Sequence, residues 1–207
     1  MTAPLLQAPA PGLILASGSA ARRALLDAAG LRFEVRPAAV DEEALKQSAR
    51  AEGIPPREAA LLLADAKARR IAAGEPEALV IGADQLLVCE GRWFDKPPSV
   101  DAAREQLRAL RGRTHELVTA VVCWRHGARA WQHVAVPLLT MRAFSDAFLD
   151  TYLAREGAAV TGSVGAYRLE GMGMHLFARI AGDHASILGL PMLELLGFLR
   201  DHGVVAA

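Results

Sequence analysis

The run Leu13-Ile14-Leu15-Ala16-Ser17-Gly18-Ser19-Ala20-Ala21-Arg22-Arg23 reads as an apolar strand, a small polar loop and a helix that opens on two arginines. A helix N-terminus carries partial positive charge, so two guanidinium groups in its first turn cost about a few tenths of a kcal/mol or more. A bound phosphate would offset that cost: the Ser17 and Ser19 hydroxyls, the free amides of the first turn and the Arg22 and Arg23 guanidinium groups can converge on one set of oxygens. The plainer alternative is that Ser19 caps the helix while both arginines splay into water.

Further along, Lys67 falls on the apolar stripe of a helix that also carries Ala60, Leu63, Ala64 and Ile71. Either its amine snorkels to the rim, or it is aimed from the core side into a polar cleft. Leu79-Val80-Ile81-Gly82-Ala83-Asp84-Gln85 runs a buried strand into a carboxylate after two small residues. Asp beside Gly often marks a turn, yet the apolar flanks favour a ligand site at a strand end. Lys96 precedes Pro97-Pro98, which restrict its backbone and suit a phosphate clamp, with an exposed loop lysine as the alternative. Glu42, in Val40-Asp41-Glu42-Glu43, is either a solvated helix start or a second carboxylate that joins Asp84 on a hard divalent cation.

The elements that must position these groups are an α/β set. Strand patterns cover Leu13–Ser17, Arg32–Arg36, Ala78–Asp84, Leu86–Cys89 and His115–Arg125, and Ala128–Arg142 reads as the return arm of a hairpin turning at His126-Gly127. Helix patterns cover Pro56–Ala73, Val100–Arg111, Ser145–Arg155 and Gly189–His202. The hairpin demands an antiparallel pair, so a mixed, partly antiparallel twisted sheet flanked by helices is expected. Gly157 to Gly173 reads as one long irregular loop.

The chain has 207 residues, 52% of them hydrophobic, with 23 basic against 23 acidic side chains. That is enough for one substantial core or two small lobes, and the zero formal charge argues against a nucleic-acid binder held by bulk electrostatics. Cys89 and Cys123 sit in apolar strand-like runs and read as buried thiols, which fits a cytoplasmic location. The six histidines lack zinc-ligand spacing, no apolar run is long enough for a membrane, and residues 1–12 read as a disordered tail. Trp93, Trp124 and Trp131 read as core or dimer-contact residues.

Taken in order, Ser17-Gly18-Ser19 with Arg22, Val40-Asp41-Glu42, Ala66-Lys67-Ala68, Gly82-Ala83-Asp84, Asp95-Lys96-Pro97, Gly165-Ala166-Tyr167 through Glu170-Gly171, and Gly189-Leu190-Pro191 resemble the Maf family of nucleoside triphosphate pyrophosphatases. The resemblance runs from Leu13 to about Arg200, so residues 13–207 are expected to form a single Maf-like domain. It implies two lobes with a central cleft, an inosine-triphosphatase-like arrangement, and hydrolysis of a nucleoside triphosphate to monophosphate and pyrophosphate. It further implies a divalent cation, Mg²⁺ or Mn²⁺, a homodimer, a house-cleaning role, and no membrane or nucleic-acid partner. Carried over by position, Ser17, Arg22, Lys67 and Lys96 would hold phosphates. Asp84 would be the catalytic acid–base residue or a metal ligand, with Glu42 beside it, and Ser19, Arg23, Gln85 and Glu170 would complete the substrate site. Ala20 and Ala21 stand where many members have Pro and Arg, although Arg22 keeps the arginine position. Gln85, Ser163 and Glu170 stand where members acting on dTTP and UTP have Thr, Lys and Gln, which points towards the branch acting on 7-methyl-GTP.

Overall fold

The computed structural model describes residues 6–206, which cluster into two compact units, each assembled from separated stretches of chain. The first comprises the described residues up to Gln85, Thr119–Ala135 and the chain from His184 on. In it β1 (Leu13–Leu15) lies between β2 (Phe33–Val35) and the first half of β3 (Leu79–Cys89), parallel to both, with Leu13 opposite Phe33 on one side and Leu79 on the other. Beyond β3 comes the end of β5 (Thr114–Arg125), which pairs antiparallel with β6 (Ala128–Ala135). The sheet is therefore mixed, as expected. The hairpin turns at His126 and Gly127, both at positive φ (51° and 74°), the backbone that a two-residue turn needs to follow strand twist.

Strand alternation assigns the two faces of this sheet to different helices. Leu13, Leu15, Leu79, Ile81, Val121 and Cys123 pack with Leu195, Phe198 and Leu199 of α7 (Met192–Asp201) and with Leu26 of α1 (Ala20–Ala28). Trp131 stacks on Phe198 with ring centroids 5.1 Å apart and is partly buried against this core. The opposite face carries Gly82 against α3 (Pro56–Ala72), an Ala/Leu-rich helix with Pro56 in its first turn and Gly74 just beyond its end. A methyl group on Gly82 would lie 2.3 Å from the Ala64 carbonyl oxygen and 2.7 Å from Ala68 Cβ. Only a residue without a side chain lets helix and strand come this close.

The second unit comprises Leu86–Val118 and Val136–Asp183. Here the rest of β3 pairs with β4 (Arg92–Phe94), and the start of β5 pairs with β7 (Leu138–Met141), which pairs with β8 (Phe177–Ala181). α4 (Val100–Leu110) and α5 (Asp146–Glu156) are capped by the hydroxyls of Ser99 and Ser145. Gly157 to Gly173 is not one irregular loop: it contains short 3-10 helices at Gly157–Gly162 and Val164–Ala166, and a third begins at Met172. It is tied inward by Tyr167, whose hydroxyl shares a 2.8 Å hydrogen bond with His115 Nε2. Burial pushes the His115 imidazole down to about 4, which keeps it neutral near neutral pH.

Three other expectations change. The strands expected at Ala78–Asp84 and Leu86–Cys89 are one strand, β3. The expected arm Ala128–Arg142 divides into β6 and β7 around Pro137, which has no N–H for a ladder and instead accepts from Leu117 N through its carbonyl. Residues 6–12 are held rather than trailing: buried Gln7 hydrogen-bonds both backbone groups of Arg32, and Gln7 bridges Val205. The remainder of the expected tail lies outside the described residues. No helix among the described residues is long and apolar enough to cross a membrane.

Gly82→Ala is expected to lower stability by about 1–3 kcal/mol, the usual cost of overpacking, read as a lower denaturation midpoint. An unchanged midpoint would contradict the close approach of α3 to β3.

Candidate active site

The close approach at Gly82 has a direct result two residues on. Asp84 follows Gly82 on the same face of β3, and Lys67 lies between Ala64 and Ala68 on α3, so the two side chains meet in the seam between strand and helix. Lys67 Nζ donates to Asp84 Oδ1 at 2.6 Å and lies 2.9 Å from Glu42 Oε1. Lys67 is 7% exposed and Asp84 4%. The lysine is therefore aimed inward rather than snorkelling, and Asp84 is a buried strand residue rather than a turn former. Asp84 Oδ2 is buried and has no hydrogen-bonding partner among the described residues.

Glu42 reaches Lys67 from α2 (Glu42–Ala51), whose start is fixed by Asp41 accepting from Ala44 N at 3.0 Å. Its side chain remains 45% exposed, so one end of the ion-pair network is wet and the other dry.

The two arginines of α1 part company. Arg22 turns inward: Nε donates to the Gly189 carbonyl at 3.0 Å, and Nη1 donates to the Ala83 carbonyl at 2.8 Å and to Ser17 Oγ at 3.0 Å. Burial draws the guanidinium pKa below its ordinary value, while the charges of Asp84 and Glu42 act the other way. The positive charge at the start of α1 is thus met from within the chain by carbonyl dipoles and two carboxylates. Arg23 is exposed and lies 3.5 Å from Asp27 one turn along, and Ser19 caps the helix by accepting from Arg22 N.

Ser17, Arg22, Glu42, Lys67 and Asp84 therefore gather within the first unit. Gln85 does not join them. As the next residue of β3 it faces the other side of the sheet, where Nε2 donates to Thr119 Oγ1 at 2.7 Å and to the Ser186 and Ile187 carbonyls of α6 (His184–Leu188). Lys96 and Glu170 belong to the second unit, where both are exposed. Lys96 lies between β4 and α4, on a segment held by Gln106 Nε2 donating to the Asp95 carbonyl at 2.7 Å. The anchors of Arg22, the carbonyls of Ala83 and Gly189, were not foreseen. Backbone acceptors leave no mark in residue type, although Gly189 itself stands in one of the seven motifs.

Among the described residues no three His, Cys, Asp or Glu side chains gather into a metal-binding cluster. The Asp84–Glu42 pair nevertheless suits a hard cation such as Mg²⁺, which takes one or two protein carboxylates and fills its remaining positions with water and phosphate oxygens. The unpartnered, buried Oδ2 of Asp84 is the atom that such an ion would satisfy.

The first unit thus sets two carboxylates, Asp84 and Glu42, among two buried cations, Lys67 and Arg22, in a mixed α/β fold. Residues 12–202 match the model of the family described as Maf-like protein, and the chain belongs to the Maf family. It is 59% identical over 190 residues to the nucleoside triphosphate pyrophosphatase of Granulibacter bethesdensis, covering 92% of this chain and 96% of that one. The protein of the same description from Rhodospirillum rubrum is 53% identical over 195 residues, covering 94% and 96%. The 7-methyl-GTP pyrophosphatase of Rhizobium meliloti is 50% identical over 197 residues, covering 95% and 99%.

Gly189 has φ +110°, and a Cβ there would lie 3.0 Å from Arg22 Nε. Gly189→Ala is expected to cost about 1–3 kcal/mol of backbone strain and to lower activity by displacing Arg22. Gly197→Ala on α7 meets nothing within 4 Å and is expected to gain about 0.5–1 kcal/mol from helix propensity. Thermal melts and turnover of the two variants check the contrast; equal behaviour would remove Gly189 from the site.

Proposed function

We propose that the constellation of Asp84, Lys67, Glu42 and Arg22 is where this chain hydrolyses a nucleoside triphosphate to the monophosphate and pyrophosphate. The observation that carries the reading is a buried carboxylate, Asp84, with one oxygen held by Lys67 and the other unpartnered. A buried carboxylate beside cations is costly unless it has work to do. Family membership and the names of relatives at 50–59% identity support nucleoside triphosphate pyrophosphatase as the class of enzyme.

In this reading Lys67 on Oδ1 keeps the Asp84 carboxylate fixed in direction, and Oδ2 is the oxygen left for the divalent cation. Arg22 is held rigid by two backbone carbonyls and contributes its positive field without having to reorient. Ser17 sits on the Arg22 guanidinium and lines the phosphate side. Asp84 and Glu42 would hold a divalent cation, Mg²⁺ or Mn²⁺, which when bound neutralises charge on the phosphates. Ser163 and Glu170, standing where members acting on dTTP and UTP have Lys and Gln, support a base of the 7-methylguanine type. The reading extends to a homodimeric, cytoplasmic protein with a house-cleaning role.

The test is a panel of natural and N7-methylated nucleoside triphosphates with Mg²⁺ or Mn²⁺, assayed separately for pyrophosphate and orthophosphate in ¹⁸O water. Pyrophosphate as first product, with label in the monophosphate, is expected. Asp84→Asn is expected to lose about a hundredfold or more in kcat, as when a strong preorganised group is removed. Orthophosphate as first product, or near-normal turnover by the variant, would contradict the assignment; nucleotide binding without turnover would instead mark a regulator.

A further inference from the structure

Lys67 stands where charge balance leaves little room for a second cation. Its ammonium is shared between Asp84 Oδ1 at 2.6 Å and Glu42 Oε1 at 2.9 Å, the two carboxylates that also suit a divalent ion. Arg22, the other buried cation, lies close enough to feel the charges of both. Counting these four groups alone, two cations face two carboxylates and their charges cancel. A divalent ion added alone would leave two uncompensated positive charges at a site where Lys67 and Asp84 are more than nine-tenths buried. It would also set an ion against an ammonium sharing the same carboxylate, where like charges repel strongly because water screens them little. A triphosphate brings about four negative charges at neutral pH, by the usual ionisation of phosphate groups, and reverses that balance.

Taking the pyrophosphatase reading above as its basis, we propose that Lys67 excludes free divalent metal from the Asp84–Glu42 pair, so that the substrate is the metal complex of the triphosphate and the metal does not bind ahead of it. Lys67 is then a specificity-determining residue for the form of the substrate as well as a phosphate ligand. The backbone of α3 is fixed by its packing on Gly82, so the exchange needs only side-chain motion. The flexible Lys67 ammonium gives up Glu42, the half-exposed partner, for a phosphate oxygen, and both carboxylates become available to the incoming ion. No bond is made or broken in this step. By linkage, the factor by which the triphosphate strengthens metal binding equals the factor by which the metal strengthens triphosphate binding.

The experiment is calorimetric titration of Mn²⁺ into the full-length protein, with and without the α,β-methylene analogue of 7-methyl-GTP, whose α,β bridge is not hydrolysed. The wild type is expected to bind Mn²⁺ alone roughly 5- to 150-fold more weakly than in the presence of the analogue, the ordinary span of coupling between two ligands. Lys67→Met is expected to bind Mn²⁺ alone at least about tenfold more tightly than the wild type and to lose most of the coupling. The double variant Lys67→Met/Asp84→Asn is expected to lose that gain. Lys67→Gln serves in the same role should the methionine variant fail to fold, as judged by its thermal melt. Equal Mn²⁺ affinity of the lysine variant and the wild type, or wild-type metal binding indifferent to the analogue, would overturn the proposal while leaving the enzyme reading intact. Failure of the analogue to bind the wild type in the presence of Mn²⁺ would overturn that reading itself and the proposal with it.

Discussion

The site depends on one close contact, the packing of α3 against β3 at Gly82. Because nothing projects from Gly82, the helix backbone settles almost onto the strand, and Lys67 and Asp84, each adjoining that contact, are brought together out of water. Removing either partner of a buried pair leaves the other charge uncompensated, whereas replacing both by apolar groups is often harmless to stability. The pair is therefore explained by what it does to Asp84. It holds one oxygen fixed in direction, and leaves the second buried with no partner among the described residues.

Arg22 extends the same logic to the rest of the first unit. Its guanidinium joins the loop after β1, the carbonyl next to Asp84 on β3, and Gly189 at the end of α6. Three segments far apart in sequence are thereby referred to one rigid planar group. A cation held by carbonyl dipoles keeps its position whether or not an anion is present, which is the sense in which the site is preorganised. Glu42 is the contrasting element. Half exposed at the start of α2, it is the partner that can move at least cost.

The sequence carried much of this, because the signals were chemical contradictions: a lysine on an apolar helical stripe, an aspartate ending an apolar strand pattern, arginines at the wrong end of a helix. Each contradiction was resolved by another, Lys67 by Asp84 and Arg22 by backbone carbonyls and the nearby carboxylates. Gln85 does not lie beside Asp84, for a reason the sequence also contained. Neighbouring strand residues face opposite ways, so the residue next to Asp84 in β3 points away from it, and Gln85 ties β3 to Thr119 and α6. The break at Pro137 was equally readable, since a proline interrupts a ladder. Other features had no local signal. Gln7 is held only because the chain returns past it at Val205, and the 3-10 turns between Gly157 and Leu176 form on a packed core that periodicity does not reveal.

The central claim is that the Lys67 ammonium, buried against Asp84, is the group that meets the phosphates of the substrate. Nuclear magnetic resonance of ¹⁵Nζ-labelled lysines observes that ammonium directly, with the Lys67 signal assigned by its loss in Lys67→Met. The account predicts a Lys67 signal set apart from the exposed lysines that moves when Mg²⁺ and a non-hydrolysable triphosphate are added together. A Lys67 signal unchanged at saturating, demonstrably bound nucleotide would contradict it.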